Sequence, residues 1–241
     1  MSSTGKPWSD TAVEAGTVTV TMQTWASFQQ FIQERTLQFR DLIWRGQRCD
    51  NWKLESTLDR KLMASSTTSD AIAQARQKHL ERFKFATRGR RGNSVRLLPN
   101  ENDWWALGQH HGLATPLLDW TTSPFVAAYF AFSKLADKQT TNRAIHALWQ
   151  PSISNINTPN DRIDFVRPMS DDNARLVNQS GLFTRAPDGI DIESWVRKKF
   201  ASETKNMIYF RVLIPNSERD QCLKSLNRMN INHLTLSLIH I

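Results

Sequence analysis

The chain has 241 residues and a formal net charge of +8, and 39% of it is hydrophobic. That length suits one large domain, and nine tryptophans and twelve phenylalanines supply buried area that the modest apolar share would otherwise lack. No run reaches the ~18 apolar residues that a membrane span needs, "MSSTGKPWSDTAVEAG" has no apolar signal region, and Cys49 and Cys222 have no Cys or His neighbour at ligand spacing. A membrane protein, a disulfide framework and a metal site are therefore not expected, and the location expected is cytoplasmic.

Residues 1–16 are polar and aperiodic and read as a disordered segment. "TVTVTM" (17–22) alternates and predicts a strand. Thr24 predicts the cap of a helix whose apolar face is Trp25, Phe28, Phe31 and Ile32. "QFRDLIWRG" reads as a buried strand that stops at Gly46, and "NWKLESTLDRKLM" as a loop or short helix anchored by Trp52, Leu54 and Leu58. "ASSTTSD" (64–70) is a turn, with Ser69 or Asp70 capping a helix from about Ala71 to Phe85. "RGRRGNS" breaks that helix. Asn102 or Asp103 is then expected to cap "WWALGQHH", which Gly112 ends. "ATPLLDWTT" predicts a short strand. Ser123 caps, and Pro124 opens, a helix "PFVAAYFAFSKLA" that is apolar nearly all round and hence buried. "RAIHALW", "IDFVR" and "NMIYFRVLIP" read as strands, and "ESWVRKKF" and a segment from Asn216 or Ser217 to Arg228 as helices. "DDNARLVNQSGLFTRAP" is ambiguous. Helices and strands mix without strict alternation, which points to an α+β fold.

The positive charge is concentrated. Between Arg76 and Arg96, eight Lys/Arg face one acid, Glu81. Such clustering is a footprint for nucleic acid or another polyanion, with Arg76, Lys78, Arg82, Arg88, Arg90 and Arg91 as candidate contacts; a solvated helix face followed by a basic loop is the competing explanation. Phe83 and Phe85 interleave with these cations, as stacking platforms or as the helix's buried stripe. His110 and His111 are adjacent and point about 100° apart on a helix, so they suit one metal poorly. One of them could bond a small ligand, or sit in the core with Asp119 or backbone as its partner. Asp119, between Leu118 and Trp120, requires a partner such as Arg45, a histidine or helix-opening amides. Thr121, Thr122 and Ser123 precede a helix N-terminus, which serves as ordinary capping or as a floor for a phosphate or ribose. Arg45 at the end of an apolar strand is either half of an ion pair or a ligand-binding cation, and Gly46 permits close backbone approach. Arg175 and Gln179 share a helix face if that segment is helical.

Three blocks, "LIWRGQRCDNWKLESTLDR", "WWALGQHHGLATPLLDWTTSPFVAAYFAF" and "NARLVNQSGLFTRAP", resemble the FRG domain family, whose aromatic-Arg-Gly run here is Trp44-Arg45-Gly46. The middle block matches the family's Q-H-x-G-x-x-T-x-L-L-D-W-T pattern at Gln109, His110, Gly112, Thr115, Leu117, Leu118, Asp119, Trp120 and Thr121. The resemblance covers roughly Thr17 to Leu236 and implies a single FRG domain over 17–236, followed by an aberrant or truncated tail at 237–241. FRG domains occur in bacterial and phage contexts that include toxin–antitoxin and phage-defence loci, so an antitoxin or other partner protein is implied.

A fainter likeness to the ADP-ribosyltransferase fold implies a split mixed β-sheet flanked by helices, with NAD as cofactor. "LIWRG" is similar to that fold's first motif and "AAYFAFSK" to its second. By that likeness Arg45, Gly46, Asp119, Thr121, Thr122 and Tyr129 bind NAD, Tyr129 stacking on the nicotinamide, and Arg45, His110 and Gln179 are the catalytic candidates. Transferases of that fold usually carry a glutamate at the third motif; Gln179 takes its place here, Glu193 and Glu203 being poorer choices. The expectation is an NAD-dependent transferase acting on nucleic acid or protein. The alternative is a non-catalytic nucleic-acid-binding or interaction module in which the motifs only hold the fold.

Overall fold

The computed structural model describes residues 6–65, 68–89, 98, 100–136, 139–156, 158, 161–167 and 181–237. From Lys6 to Gly16 the N-terminal segment is more ordered than its polar composition predicts. Trp8–Asp10 form strand β1, antiparallel to β2 (Thr17–Met22). One aromatic suffices: Trp8 is 5% exposed and meets Phe31 edge-on at 5.6 Å, so ring burial outweighs the polar neighbours. Helix α1 (Trp25–Arg35) carries the expected capping box, Thr24 Oγ1 accepting from Ser27 N while Ser27 Oγ accepts from Thr24 N.

β3 (Leu42–Gln47) runs one residue past Gly46, because Gly46 pairs with Ile145 inside the ladder and does not end it. α2 (Thr57–Ser65), α3 (Ser69–Ala86) and α4 (Glu101–His110) follow. Two caps differ from expectation. Thr68, not Ser69 or Asp70, caps α3, and Asn100, not Asn102 or Asp103, caps α4. In both cases the extended residue whose oxygen reaches the third amide lies earlier in the chain. β4 (Leu117–Thr121) leads through the Ser123 cap into α5 (Pro124–Phe132), as the sequence predicts. β5 (Asn142–Trp149), a short α6 (Gln150–Ser154), β6 (Asp164–Val166), β7 (Gly181–Arg185), α7 (Ile192–Lys199) and β8 (Tyr209–Pro215) complete the sheet and its cover. A 3₁₀ turn at Asn216–Glu218 precedes α8 (Arg219–Arg228) and α9 (His233–Ser237).

The described strands form one eight-stranded sheet in the order β1-β2-β8-β5-β3-β4-β7-β6. Only β2 and β8 pair in parallel, so the fold is α+β with a mixed sheet. The sheet is continuous where a split one was expected. Its narrowest seam is β3–β4, joined at the single pair Trp44↔Thr121. One face packs α1, α5 and α8 around Trp25, Phe28, Ala127, Phe132, Phe210 and Leu226. The other packs α6 and α7 around Ile43, Trp120, Leu148, Ile153 and Trp195. α2, α3 and α4 form a satellite against β4, β6 and β7 through Leu58, Leu80, Trp105, Leu117, Val166 and Phe183. The candidate site lies where this satellite meets the β3–β4 seam.

Candidate functional site at the β3–β4 seam

β3 and β4 diverge immediately after Trp44↔Thr121. A carbonyl freed at such a point needs another donor. Arg45 supplies it: Nη1 donates to the Asp119 carbonyl at 2.7 Å. The Asp119 carboxylate is farther off, its Oδ2 3.7 Å from Arg45 Nη1, and its side chain is 66% exposed against 22% for Arg45. Burial lowers the Arg45 pKa, nearby Asp119 opposes that shift, and Arg60 adds to it. Arg45 Nε is buried with no partner among the described residues.

The carboxylate is held by Gln109 instead. Gln109 Nε2 donates to Asp119 Oδ1 at 3.0 Å, and its Oε1 accepts from the Thr115 hydroxyl. Thr115 Oγ1 also accepts from Leu117 N at 3.3 Å. One chain of bonds thus runs from Thr115 through Gln109 and Asp119 to Arg45. The turn that makes it possible is Gly112 at φ +79°, which ends α4 and reverses the chain toward β4.

These groups line a cleft of about 380 Å³, within the size range of small-molecule sites. Arg45, Gln109, His110 and Asp119 reach it together, as the converging motifs imply. The cleft also takes residues that sequence reasoning did not single out: Glu55, Arg60 and Lys61. They come from the loop before α2 and from α2 itself. Arg60 Nη1 donates to the Glu55 carbonyl at 2.8 Å, and Glu55 keeps its carboxylate 3.9 Å from Lys53. The only available signal was the acid–base alternation in "LESTLDRK", which reads equally well as a solvated helix start. Three cations against two carboxylates leave the lining positive and suited to an anion that also carries hydroxyls.

Residues 40–140 match the family model of the FRG domain. Over that stretch the chain resembles an FRG domain. The matched stretch holds β3, α2, α3, α4, β4 and α5, and every residue lining the cleft except Phe183 falls within it. No curated protein and no solved structure matches the chain.

Among the described residues, the remaining candidates do not join the cleft lining. Gly46 faces α5: a Cβ there would lie 1.9 Å from the Ala127 carbonyl oxygen and 2.6 Å from Ala131 N. Its lack of a side chain lets the helix seat on the sheet. Tyr129 packs against the apolar cluster of α1 and α5, and burial raises its pKa. Thr121 is 4% exposed and its Oγ1 accepts from Ser123 N at 3.1 Å, which makes it part of the α5 entry turn; Thr122 is exposed beside it. Trp120 donates to Thr184 Oγ1 at 2.7 Å and anchors β4 to β7. Arg175 and Gln179 lie outside the described residues, as do Arg90 and Arg91.

The two glutamates weighed for the third motif are engaged elsewhere. Glu193 accepts from the Tyr209 hydroxyl and pairs with Arg197. Glu203 accepts from Lys205 N and Asn206 N, and those amides draw its pKa down to about 2. Arg76 also departs from expectation. It is 4% exposed and holds Asp59 at 2.5 Å together with Asp188, so it ties α2, α3 and the β7–α7 loop and is withdrawn from the basic face. A long cation next to two acids is buried because pairing offsets its desolvation. Lys78, Arg82 and Arg88 remain exposed.

Among the described residues no cluster of His, Cys, Asp and Glu is placed to hold a metal, and no helix is long and apolar enough to cross a membrane.

Proposed function

We propose that the seam cleft binds NAD and that the protein is an ADP-ribosyltransferase-like enzyme transferring to a macromolecular acceptor. The observation that supports this reading is the convergence of Arg45, Gln109, His110, Asp119 and Glu55 on one solvent-open cleft from three separate chain segments. The residues fit the charged, hydroxyl-bearing part of the dinucleotide. Arg45, Arg60 and Lys61 are cations for a diphosphate, Gln109 and Asp119 suit ribose hydroxyls, and Phe183 adds a ring to the lining. The expected set that included Gly46, Thr121 and Tyr129 is replaced by this one, because those side positions serve α5 packing.

NAD, when bound, supplies an ADP-ribosyl group on a glycosidic C–N bond. The chain's own residues supply the rest. Arg45 is fixed by the Asp119 carbonyl and presents its charge without reorganisation. Glu55 places a carboxylate at the cleft, the charge needed to steady a cationic sugar, in the role that Gln179 could fill only as a neutral amide. His110 at the mouth is the candidate to carry a proton to or from the acceptor. The toxin or phage-defence setting implied by the family resemblance belongs to this reading.

Titration calorimetry with NAD tests it. Wild-type protein gives a saturable heat, Arg45→Lys weakens binding at least tenfold by losing the fork geometry, and Glu55→Gln leaves binding intact while abolishing release of nicotinamide. No heat with NAD, or an Arg45→Lys variant that binds like wild type, would overturn the proposal.

A further inference from the structure

Next to the cleft, α3 presents a face that neither the core nor the cleft uses. Phe85 is 69% exposed, an unusual position for a large aromatic ring on a helix whose buried side is already filled by Arg76 and Leu80. Its neighbours on the exposed surface are Lys78, Arg82 and Arg88, and the Arg88 guanidinium lies 5.2 Å from the centroid of the Phe85 ring. Two acids of this helix are exposed: Asp70 in its first turn, and Glu81, which is occupied by Gln77 and by Lys84 at 2.9 Å.

The helix is tied to the cleft wall. His79, three residues before Arg82, bonds the Ala114 carbonyl at 2.9 Å through Nε2, and Ala114 lines the cleft wall. Arg60 and Lys61 add positive charge to the lining of the cleft itself. A row of cations spaced along a helix and punctuated by one open aromatic ring matches a flexible polyanion whose repeating units have flat faces. A protein partner is a poorer match, since among the described residues the ring's exposed neighbours on this face are Lys78, Arg82 and Arg88.

We propose that this face of α3 holds a single-stranded nucleic acid, a base stacking on Phe85 and phosphates meeting Lys78, Arg82 and Arg88, with the strand leading over the Ala114 rim toward the cleft. It deepens the transferase reading by making this strand the acceptor, and it is measured without NAD, so that either idea can fail alone.

The test is fluorescence anisotropy of a labelled 20-nucleotide single strand with the full chain, over a series of salt concentrations. Wild type binds, and affinity falls steeply with salt. Phe85→Ala weakens binding roughly tenfold or more, Phe85→Trp restores it, and both melt at the wild-type temperature because the ring is exposed. Arg82→Glu and Arg88→Glu each flatten the salt dependence by about 0.7 in log–log slope or more. Lys224→Glu, an exposed cation on α8, binds the strand like wild type. The proposal is overturned if wild type shows no binding at low salt, if Phe85→Ala and Arg82→Glu bind normally, if a duplex of the same sequence binds as tightly as the strand, or if Lys224→Glu weakens binding as much as Arg82→Glu does.

Discussion

Replacing Gly46 by alanine separates two meanings of the Arg-Gly pair. If the glycine serves close approach of a ligand, the variant folds normally and loses only binding. The geometry predicts the reverse. The new Cβ would lie 1.9 Å from the Ala127 carbonyl oxygen and 3.0 Å from the Ala127 carbonyl carbon, and both belong to helix backbone that has no rotamer to yield. Restoring ordinary contact near 3.4 Å requires α5 to retreat by roughly 1.5 Å. That helix buries Val126, Ala127, Ala128, Ala131 and Phe132 against the sheet. A gap of 0.5–1 Å already forfeits a quarter to a half of the dispersion energy at each contact, so the cost falls at or above the upper end of the ~1–3 kcal/mol typical of overpacking. The gain from replacing a glycine inside a strand, about 0.5–1 kcal/mol, offsets only part of it. A net loss near 3 kcal/mol lowers the melting temperature by about 6–12 °C for a chain of this size. Thermal melting followed by circular dichroism measures it. Gly112→Ala is the control: at φ +79° it meets nothing within 4 Å, so it carries backbone strain alone and costs about 1 kcal/mol. A Gly46→Ala variant that melts within 2 °C of wild type would refute the packing argument.

Two further outcomes follow from buried charge. Arg76→Ala strands Asp59 and Asp188 and is expected to cost about 2–3 kcal/mol, the partial exposure of both acids keeping the loss below that of a fully buried pair; Arg82→Glu, on the exposed face of the same helix, leaves the melting temperature unchanged, and equal melting of the two variants would contradict the buried role. His146, 1% exposed and bonded to Tyr209 and Gln47, has its pKa lowered to about 3 by burial and by Arg45 and Arg211. The unfolded imidazole takes up a proton near pH 6.5 while the folded one does not, so stability is full above pH 6.5 and falls by up to about 1.4 kcal/mol per unit as pH drops toward 3. A proton NMR titration in which the His146 ring signals shift between pH 7 and 5.5 would show the reasoning wrong.

Much of the chain was legible one residue at a time. The strands at 17–22, 143–149 and 209–215, the Thr24 capping box and the Ser123-Pro124 start of α5 follow from period and cap chemistry, which are local. Trp8 was missed because one ring in a polar stretch gains its energy only from a distant partner, Phe31. Gln109, Thr115 and Asp119 are legible as positions of the family pattern, but their order in a hydrogen-bonded chain depends on the Gly112 turn that folds α4 back onto β4.

The sequence by itself determined the α+β class, the likeness to the FRG domain and the need of Arg45 for a partner, because a charge withdrawn from water is costly; Asp119, expected to be buried, is two-thirds exposed. The tertiary structure decided what those partners are. β3 and β4 pair at one position and then part, so Arg45 bonds a carbonyl, Asp119 is left to Gln109, and Glu55, Arg60 and Lys61 close around the opening from α2 and the loop before it, which no local pattern placed there. It also divided a uniform basic stretch in two, sending Arg76 inward to a pair of acids and leaving Lys78, Arg82 and Arg88 in water. Charge is written in the sequence, but which charges face solvent is set by contacts between segments far apart in the chain.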